Sequence, residues 1–296
     1  AVDEAFMVVV GLFVAALPEG LPAVMTITLA IGVQRMAARQ AIIRRLPAVE
    51  TLGAVSVICS DKTGTLTRNE MTVRSVVTAE GVVEVAGSGY VPEGTFWRDG
   101  AAFDPEASPT LQALAEGGLL CNDADLTRQA DGWRMSGDPM EGALLALAIK
   151  AGLDPAMHRR RLHRQDVIPF DAAHRFMATL HREGAGAAGR VLVKGAPERL
   201  LEMCGTVLTA AGTEPLDQAA WQERIAALAE RGERVLAFAF KPGHAGDGID
   251  HADLAGGLVL IGLAGFIDPP RDEAVAAGGG RPPARPRGGL VNRGPR

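Results

Sequence analysis

Residues 5 to 33 form an apolar run broken once, at Pro18-Glu19-Gly20. About twenty consecutive apolar residues suffice to cross a bilayer, so this segment is long enough to span one with tilt. It lacks the basic start and small-residue cleavage site of a signal peptide. Asp3 and Glu4 precede it and Arg35, Arg39, Arg44 and Arg45 follow, which by the positive-inside rule puts the chain after about residue 34 in the cytoplasm. Proline removes a backbone donor and clashes with the preceding turn, so the helix is expected to unwind at Pro18 and leave the carbonyls of Val14, Ala15 and Leu17 unpaired. Non-helical backbone at membrane depth persists only where it lines a cavity or is buried in protein. A carboxylate at that depth marks a functional site. Glu19 and the freed carbonyls are hard oxygen donors of the kind that take Na⁺, Ca²⁺ or a proton. The competing reading is a kinked buried helix of a soluble protein with a surface glutamate.

The rest of the chain reads as folded cytoplasmic domains. With 296 residues, 47% of them hydrophobic, there is material for about two domains with real cores. A net charge of −5 and 4% aromatic residues give no basic stripe interleaved with aromatics, so no nucleic-acid partner is expected. Three cysteines, Cys59, Cys121 and Cys204, form no CxxC or His-Cys cluster. They are expected to be small buried hydrophobes in a reducing compartment.

Val55–Ser60 is a short apolar-rich run after Gly53 and is expected to be a buried strand. Asp61 follows, then Lys62-Thr63-Gly64-Thr65-Leu66-Thr67. Ligands of open α/β sheets sit beyond the carboxyl ends of strands, which is where this order puts Asp61. Gly64 allows a tight turn close to a phosphate. Lys62 offers a point charge and the threonine hydroxyls offer donors. The GxxxxGK[ST] spacing of a P-loop is absent. An aspartate in this position is, on its own, more often a helix cap than a nucleophile.

The string DKTGTLT resembles the signature of P-type ATPases, and the resemblance extends over about residues 1 to 277. It implies that Asp61 attacks the γ-phosphate of ATP to give an aspartyl-phosphate, a form of covalent catalysis, with Lys62 and Thr63 as partners in the loop. It implies a fold of mixed α/β and α+β type: one transmembrane helix, a partial haloacid-dehalogenase-like Rossmannoid phosphorylation domain, and an α+β nucleotide-binding domain inserted in it. Haloacid dehalogenase phosphatases usually carry a second aspartate two residues after the nucleophile. That position is Thr63 here, so rapid self-hydrolysis is disfavoured and the phosphoenzyme can persist. VAALPEGLP, Val14–Pro22, looks like the fourth transmembrane helix of the calcium-pump subgroup. That maps ion-binding roles onto Glu19 and the carbonyls of Val14, Ala15 and Leu17, with Ca²⁺ favoured and Mn²⁺ or Na⁺ as near relatives. RRLPAVETLGAVSVICSDKTGTLT is similar to the segment joining that helix to the phosphorylation domain.

The organisation expected is residues 1–34 as the membrane helix, 35–70 as the first part of the phosphorylation domain, 71–266 as the nucleotide domain and 267–277 as the return. Strands are expected at Thr72–Val77, Val191–Val193, Val235–Phe240 and Leu258–Leu263, with helices at Gly142–Ala151 and Leu216–Arg231, forming an antiparallel sheet with helices. Four patches resemble the family's ATP site. Gly137-Asp138-Pro139-Met140-Glu141-Gly142 implies that Glu141 contacts the adenine amino group. Pro169-Phe170-Asp171 implies adenine stacking on Phe170. Lys194-Gly195-Ala196-Pro197-Glu198 implies a lysine at the pocket floor, and Arg234 matches an arginine reaching the phosphates. Ala172 stands where the family has an arginine that makes a further nucleotide contact. Asp268-Pro269-Pro270-Arg271 is similar to the hinge back from the nucleotide domain, and Arg271 is counted with the nucleotide contacts. Mg²⁺ would take Asp61 and the Thr63 carbonyl beside phosphate oxygens.

Two other segments are read as bland. His158–Arg164, HRRRLHR, is expected to be a solvated helical face rather than a basic patch or a His pair for metal, and Gly184–Gly189 a flexible hairpin loop. From residue 278 the chain reads GGGRPPARPRGGLVNRGPR, with five arginines and no acidic residue. Such a segment is expected to be disordered, and the abrupt shift is what a GC-rich gene read in the wrong frame would give; a basic arm is the alternative. The family's TGD and GDGxND loops and its upstream TGE loop do not occur in the sequence. The expected function is therefore that of an ATP-driven cation pump in a membrane, the plasma membrane if bacterial. The chain itself is expected to be an incomplete copy. The alternatives are a stand-alone ATP-binding module or a regulatory fragment associating with the remainder of a pump.

Overall fold

The computed structural model describes residues 2–16, 20–130, 132–184, 186–279 and 287–291, in two compact units, residues 1–61 with 277–296 and residues 62–276. In the first unit, helices α1 (Val2–Ala16) and α2 (Gly20–Ala37) carry the apolar run, and α3 (Ala48–Gly53) leads into strand β1 (Val57–Asp61). The segment Ala5–Ala37 has the length and the mean hydropathy, 1.9, to cross a membrane, and its apolar side chains point outward without cover. Its two threonine hydroxyls are satisfied inside the helix: those of Thr26 and Thr28 donate to the carbonyls of Pro22 and Val24, each at 2.8 Å. Hydroxyls bonded this way add no unpaired donor to an apolar surface. The expected unwinding at Pro18, and Leu17 and Glu19 with it, lies outside the described residues.

Two expectations change in this unit. The strand before the loop forms, but it is not buried: Val57 and Ile58 are about half exposed, and among the described residues β1 pairs only with β15 (Arg287–Val291), in parallel. One strand neighbour satisfies one edge of backbone and covers neither face, so the side chains stay open. The pairing also corrects the reading of the tail as wholly disordered. Arg287–Val291 is Gly-Gly-Leu-Val behind an arginine, compact enough to lie along β1, and its backbone gains ladder partners there.

The second unit is built on an antiparallel sheet. Its strands are β2 (Thr72–Thr78), β3 (Gly81–Val85), β4 (Phe96–Arg98), β5 (Ala101–Phe103), β8 (His163–Asp171), β9 (Phe176–Arg182), β10 (Gly189–Gly195), β11 (Cys204–Thr209), β12 (Gly212–Pro215), β13 (Arg234–His244) and β14 (Leu258–Ile267). A separate hairpin, β6 (Asp125–Gln129) with β7 (Gly132–Ser136), stands apart from them. The order across the sheet is β5-β4-β3-β2-β14-β13-β10-β9-β8. The first half of β14 also takes β11, in parallel, on the edge where its second half takes β2.

Alternation along the strands divides the side chains between two cores. Leu192, Phe238 and Ile261 face one way, beneath helices α4 (Pro109–Leu120) and α5 (Pro139–Lys150). Val191, Val193, Ala237 and Leu260 face the other, beneath α7 (Pro197–Met203) and α8 (Gln218–Glu230). A period of two with apolar residues at both phases is what a sheet covered on both faces requires. Helices α4 and α5 begin where the sequence supplies caps. The Ser108 hydroxyl accepts from Leu111 N at 3.3 Å at the start of α4, and the Asp138 carboxylate accepts from Met140 N at 2.8 Å at the start of α5, each with proline in the first turn.

The run 158–164 is a solvated face only in part: Arg160, Arg161, His163 and Arg164 are exposed, while His158 and Leu162 are buried. Helix α6 (Pro155–Arg161) buries His158, and Arg161 and Arg190 both reach the buried Glu116, at 2.9 and 2.6 Å. A buried carboxylate needs cationic partners, and this basic run supplies one of them. The Gly184–Gly189 stretch joins β9 to β10, whose register runs from Arg190 opposite His181 to Gly195 opposite Phe176; Ala185 lies outside the described residues. Cys121 and Cys204 are buried as expected and Cys59 is exposed. Helix α9 (Asp272–Gly279) follows the return hinge.

Candidate functional site

Register brings three of the expected nucleotide contacts to one end of the sheet. Lys194 is the penultimate residue of β10 and pairs with Met177 on one side and Phe238 on the other. Phe170 is the penultimate residue of β8, next to Asp171, which pairs with Phe176 at the start of β9. Arg234 begins β13 at the same end, opposite Phe266. The fourth, Glu141, comes from the first turn of α5. Gly137 sets that turn: its φ of +106° suits glycine, and a Cβ there would fall 2.9 Å from Ala124 Cα.

Lys194 and Glu141 meet directly. Their Nζ and Oε1 atoms lie 2.5 Å apart, with only 9% and 15% of the two side chains exposed. The other carboxylate oxygen, Oε2, accepts from Asp123 N at 3.1 Å, and Asn122 Nδ2 donates to the Glu141 carbonyl at 2.9 Å. Asn122 itself is fixed by bonds to Gly118 O and from Ala124 N, at 2.9 and 2.8 Å. The turn after α4 therefore holds the glutamate in place through two residues that sequence reasoning did not single out. Their signal was weak: an Asn-Asp pair at a helix end is ordinarily read as a cap or turn. Beneath the pair, burial pushes the Cys121 thiol up, with the nearby Lys194 charge pulling the other way, and its Sγ lies 3.6 Å from Met177 O.

Phe170 is different in kind. Its ring is 66% exposed, an apolar plate held open at the strand end rather than a core residue. Arg234 is also exposed, and its Nη1 lies 3.8 Å from Met140 Sδ, which is within a turn of Glu141. Arg175 follows Phe170 in the β8–β9 turn with φ +60°, its N–H bonded to Asp171 O at 2.6 Å and its carbonyl accepting from Ala196 N at 2.9 Å. That turn ties the strand carrying Phe170 to the Lys194 strand.

The motif loop is organised within the second unit from Lys62 onward. Gly64 has φ +74°, and its N–H donates to Thr67 Oγ1 at 3.2 Å. Thr67 is buried, and its hydroxyl lies 2.6 Å from Asp268 Oδ2 on the return hinge. Arg271 donates from Nε to Thr67 O at 3.1 Å and from Nη2 to Gly64 O at 3.2 Å. Arg68 pairs with Asp272 at 2.8 Å. The outgoing and returning chains are thus clamped together, and Arg271, expected among the nucleotide contacts, has its guanidinium engaged on the loop's own carbonyls. Asp61 ends β1 in the first unit, at the strand's carboxyl end.

The sheet with helices on both faces, and the residues gathered at its end, define a class first: residues 110–273 match the family described as P-type ATPase, cytoplasmic domain N. The chain belongs to the P-type ATPases. It is 48% identical over 284 residues to the cation-transporting ATPase pma1 of Synechocystis, covering 93% of this chain and 31% of that protein. It is 41% identical over 274 residues to the calcium-transporting ATPase type 2C member 1 of Bos taurus, covering 90% and 27%. A calcium-transporting ATPase of Bacillus subtilis is 38% identical over 275 residues, covering 92% and 31%. The chain spans about three-tenths of the length of these curated relatives.

Proposed function

We propose that this chain carries the ATP-binding and phosphate-accepting part of a membrane cation pump, in which ATP phosphorylates Asp61. The observation that carries the nucleotide half is the buried Glu141–Lys194 pair at the sheet end that also bears the exposed Phe170 ring and Arg234. A flat apolar plate beside fixed polar groups suits a purine. The ring stacks on Phe170, an interaction of about 1–3 kcal/mol by analogy with base stacking. Glu141 accepts from the exocyclic amine and Lys194 closes the floor. Arg234, open to solvent, is free to turn to phosphate. Because Lys194 and Glu141 satisfy each other without ligand, a nucleotide must share or replace that bond, which favours a ligand bringing both a donor and an acceptor.

The phosphate half rests on the DKTGTLT loop. Lys62 neutralises phosphate charge, and Asp61 with the Thr63 carbonyl are hard oxygen donors of the type Mg²⁺ takes while keeping several waters. Bound Mg²⁺ supplies charge neutralisation on the transferring phosphate. The clamp of Thr67 and Arg271 on Asp268 and the loop carbonyls holds the loop's shape, so those residues act by positioning.

We read Ala5–Ala37 as a membrane helix, with lipid as its surroundings and the chain after it in the cytoplasm. Its Glu19 and the carbonyls of Val14, Ala15 and Leu17 are the proposed cation ligands, and the names of the calcium-transporting relatives favour Ca²⁺. Residues 62–276, which form one compact unit here, are the proposed nucleotide-binding body. The test is ATP binding by calorimetry on the 296-residue chain, alongside acid-stable incorporation of label from γ-labelled ATP. Binding that survives Asp61→Asn while labelling is lost supports the reading. Labelling that survives Asp61→Asn would overturn it. Binding without labelling in the unsubstituted chain would favour the stand-alone ATP-binding module.

A further inference from the structure

The turn between α8 and β13 carries a buried charge beside one of the nucleotide contacts. Gly232, at φ +77°, follows α8, and the N–H groups of Gly232 and Glu233 donate to the carbonyls of Ala229 and Leu228 at 2.9 and 3.1 Å. Glycine in this left-handed conformation closes the helix and turns the chain directly into β13. Glu233 then sets its carboxylate against the sheet, with 1% of the side chain exposed. Its Oε1 accepts from the Ser75 hydroxyl of β2 at 3.0 Å and from Arg231 Nε at 3.1 Å. Arg231 Nη2 in turn lies 3.3 Å from Glu84 Oε1 of β3.

Register leaves room for that carboxylate. Val235 pairs with Gly265, Gly265 with Ser75 and Ser75 with Glu84, one row across β13, β14, β2 and β3. Glu233, two residues before Val235, stands on the same face of the sheet. A Cβ at Gly265 would overlap Glu233 Oε2, so the glycine opens the slot that the carboxylate fills. Oε2 itself has no hydrogen-bond partner among the described residues. A buried carboxylate paired on one oxygen only gains no stability over an apolar side chain of similar volume. What it adds is two directed bonds that fix the chain at residue 233. Arg234 comes next and projects to the opposite face. Its register partner Phe266 belongs to the core beneath α4 and α5, and its Nη1 lies 3.8 Å from Met140 Sδ of α5.

We propose that Glu233 is a positioning residue for the nucleotide site: anchored on the α8 face of the sheet, it sets the start of β13 so that Arg234 stands toward the head of α5. The proposal rests on the reading of Arg234 as a phosphate contact. Glu233 touches no nucleotide and acts only through Arg234. Its effect is therefore confined to the phosphates, because the base contacts Phe170, Glu141 and Lys194 come from β8, α5 and β10.

The test compares ATP with adenosine by calorimetry on the 296-residue chain in detergent. Glu233→Ala should weaken ATP binding about tenfold, the size of one hydrogen bond to a charged group, and leave adenosine binding unchanged. Arg234→Ala should do the same. The two together should lose no more than Arg234→Ala alone, since both act through one guanidinium. Glu233→Gln keeps an oxygen for Ser75 and Arg231 and should recover most of the affinity. If Glu233→Ala fails to fold, Ser75→Ala with Glu233→Ala leaves neither buried group unpaired and takes its place. Amide hydrogen exchange reads the anchor without nucleotide: residues 234–236 should lose protection in Glu233→Ala while residues 238–240 keep theirs. Equal losses for ATP and adenosine, additive losses in the double variant, or unchanged exchange at residues 234–236 overturn the proposal. So does an ATP affinity that Arg234→Ala lowers and Glu233→Ala does not. If Arg234→Ala leaves the ratio of ATP to adenosine affinity unchanged, the phosphate reading of Arg234 fails, and the exchange at residues 234–236 supports or overturns the anchor by itself.

Discussion

His181 should make the second unit sensitive to acid in a way that can be isolated. The ring is almost fully buried on β9, with Nδ1 3.2 Å from Leu162 O and Nε2 2.9 Å from the Thr179 hydroxyl. Burial pushes its pKa down from 6.5 to about 4, the positive charges of Arg164 and Arg190 push the same way, and the Leu162 carbonyl and Glu116 oppose them. A folded-state pKa below the unfolded one means the unfolded chain binds the proton first. The contribution to stability is therefore complete above pH 6.5 and is lost as pH falls from there through 4. With unfolded and folded values of 6.5 and about 4, linkage gives a loss of about 2 kcal/mol at pH 5 and about 3 kcal/mol at pH 4. Other groups also titrate in this window, so the informative quantity is a difference between proteins. His181→Gln keeps a neutral donor and acceptor near Thr179 and cannot take the proton. Urea unfolding followed by circular dichroism from pH 7 to pH 4 should show the unsubstituted chain losing about 3 kcal/mol more than the variant over that range. The constant offset from altered packing does not enter. Curves that run parallel within about 0.5 kcal/mol would refute the argument, because they would mean that His181 takes its proton in the folded state at its ordinary pKa.

Lys194→Met should leave Glu141 as a nearly buried carboxylate without a cation, at a cost of up to about 3–5 kcal/mol; Lys194→Met with Glu141→Leu should recover most of it in the same urea assay, while neither protein binds ATP tightly. Phe170→Ala removes a ring that is 66% exposed, so stability should change by no more than about 0.5 kcal/mol while ATP affinity, measured by calorimetry, falls about 5- to 150-fold. Gly137→Ala puts a Cβ 2.9 Å from Ala124 Cα at φ +106° and should cost about 1–3 kcal/mol in thermal or urea unfolding.

What could be read from the sequence was whatever local chemistry fixes. The strands at Thr72–Thr78 and Leu258–Ile267 carry runs of β-branched and apolar residues that no helix period explains, and both were expected within a few residues of their observed ends. The cap of α5 lies inside the GDPMEG motif, so the residue types that place Glu141 are contiguous. The Thr67–Asp268 bond joins residues 201 positions apart, and Glu116 draws its arginines from 45 and 74 positions away. Nothing local marks a buried glutamate on an apolar helix as the partner of a basic run elsewhere, which is why His158–Arg164 read as a solvated face. Lys194 and Glu141 were each legible as motif residues, but their direct pairing was not, since it depends on where α5 lies over β10. The strand at Val57–Asp61 shows the converse. Its composition is that of a buried strand, yet burial belongs to the surroundings, and β15 alone does not cover it. Sequence pattern names the elements and the chemical groups, while long-range contacts decide which charges meet. In this chain the groups assigned to one site share a sheet end because antiparallel register carries Phe170, Lys194 and Arg234 there together.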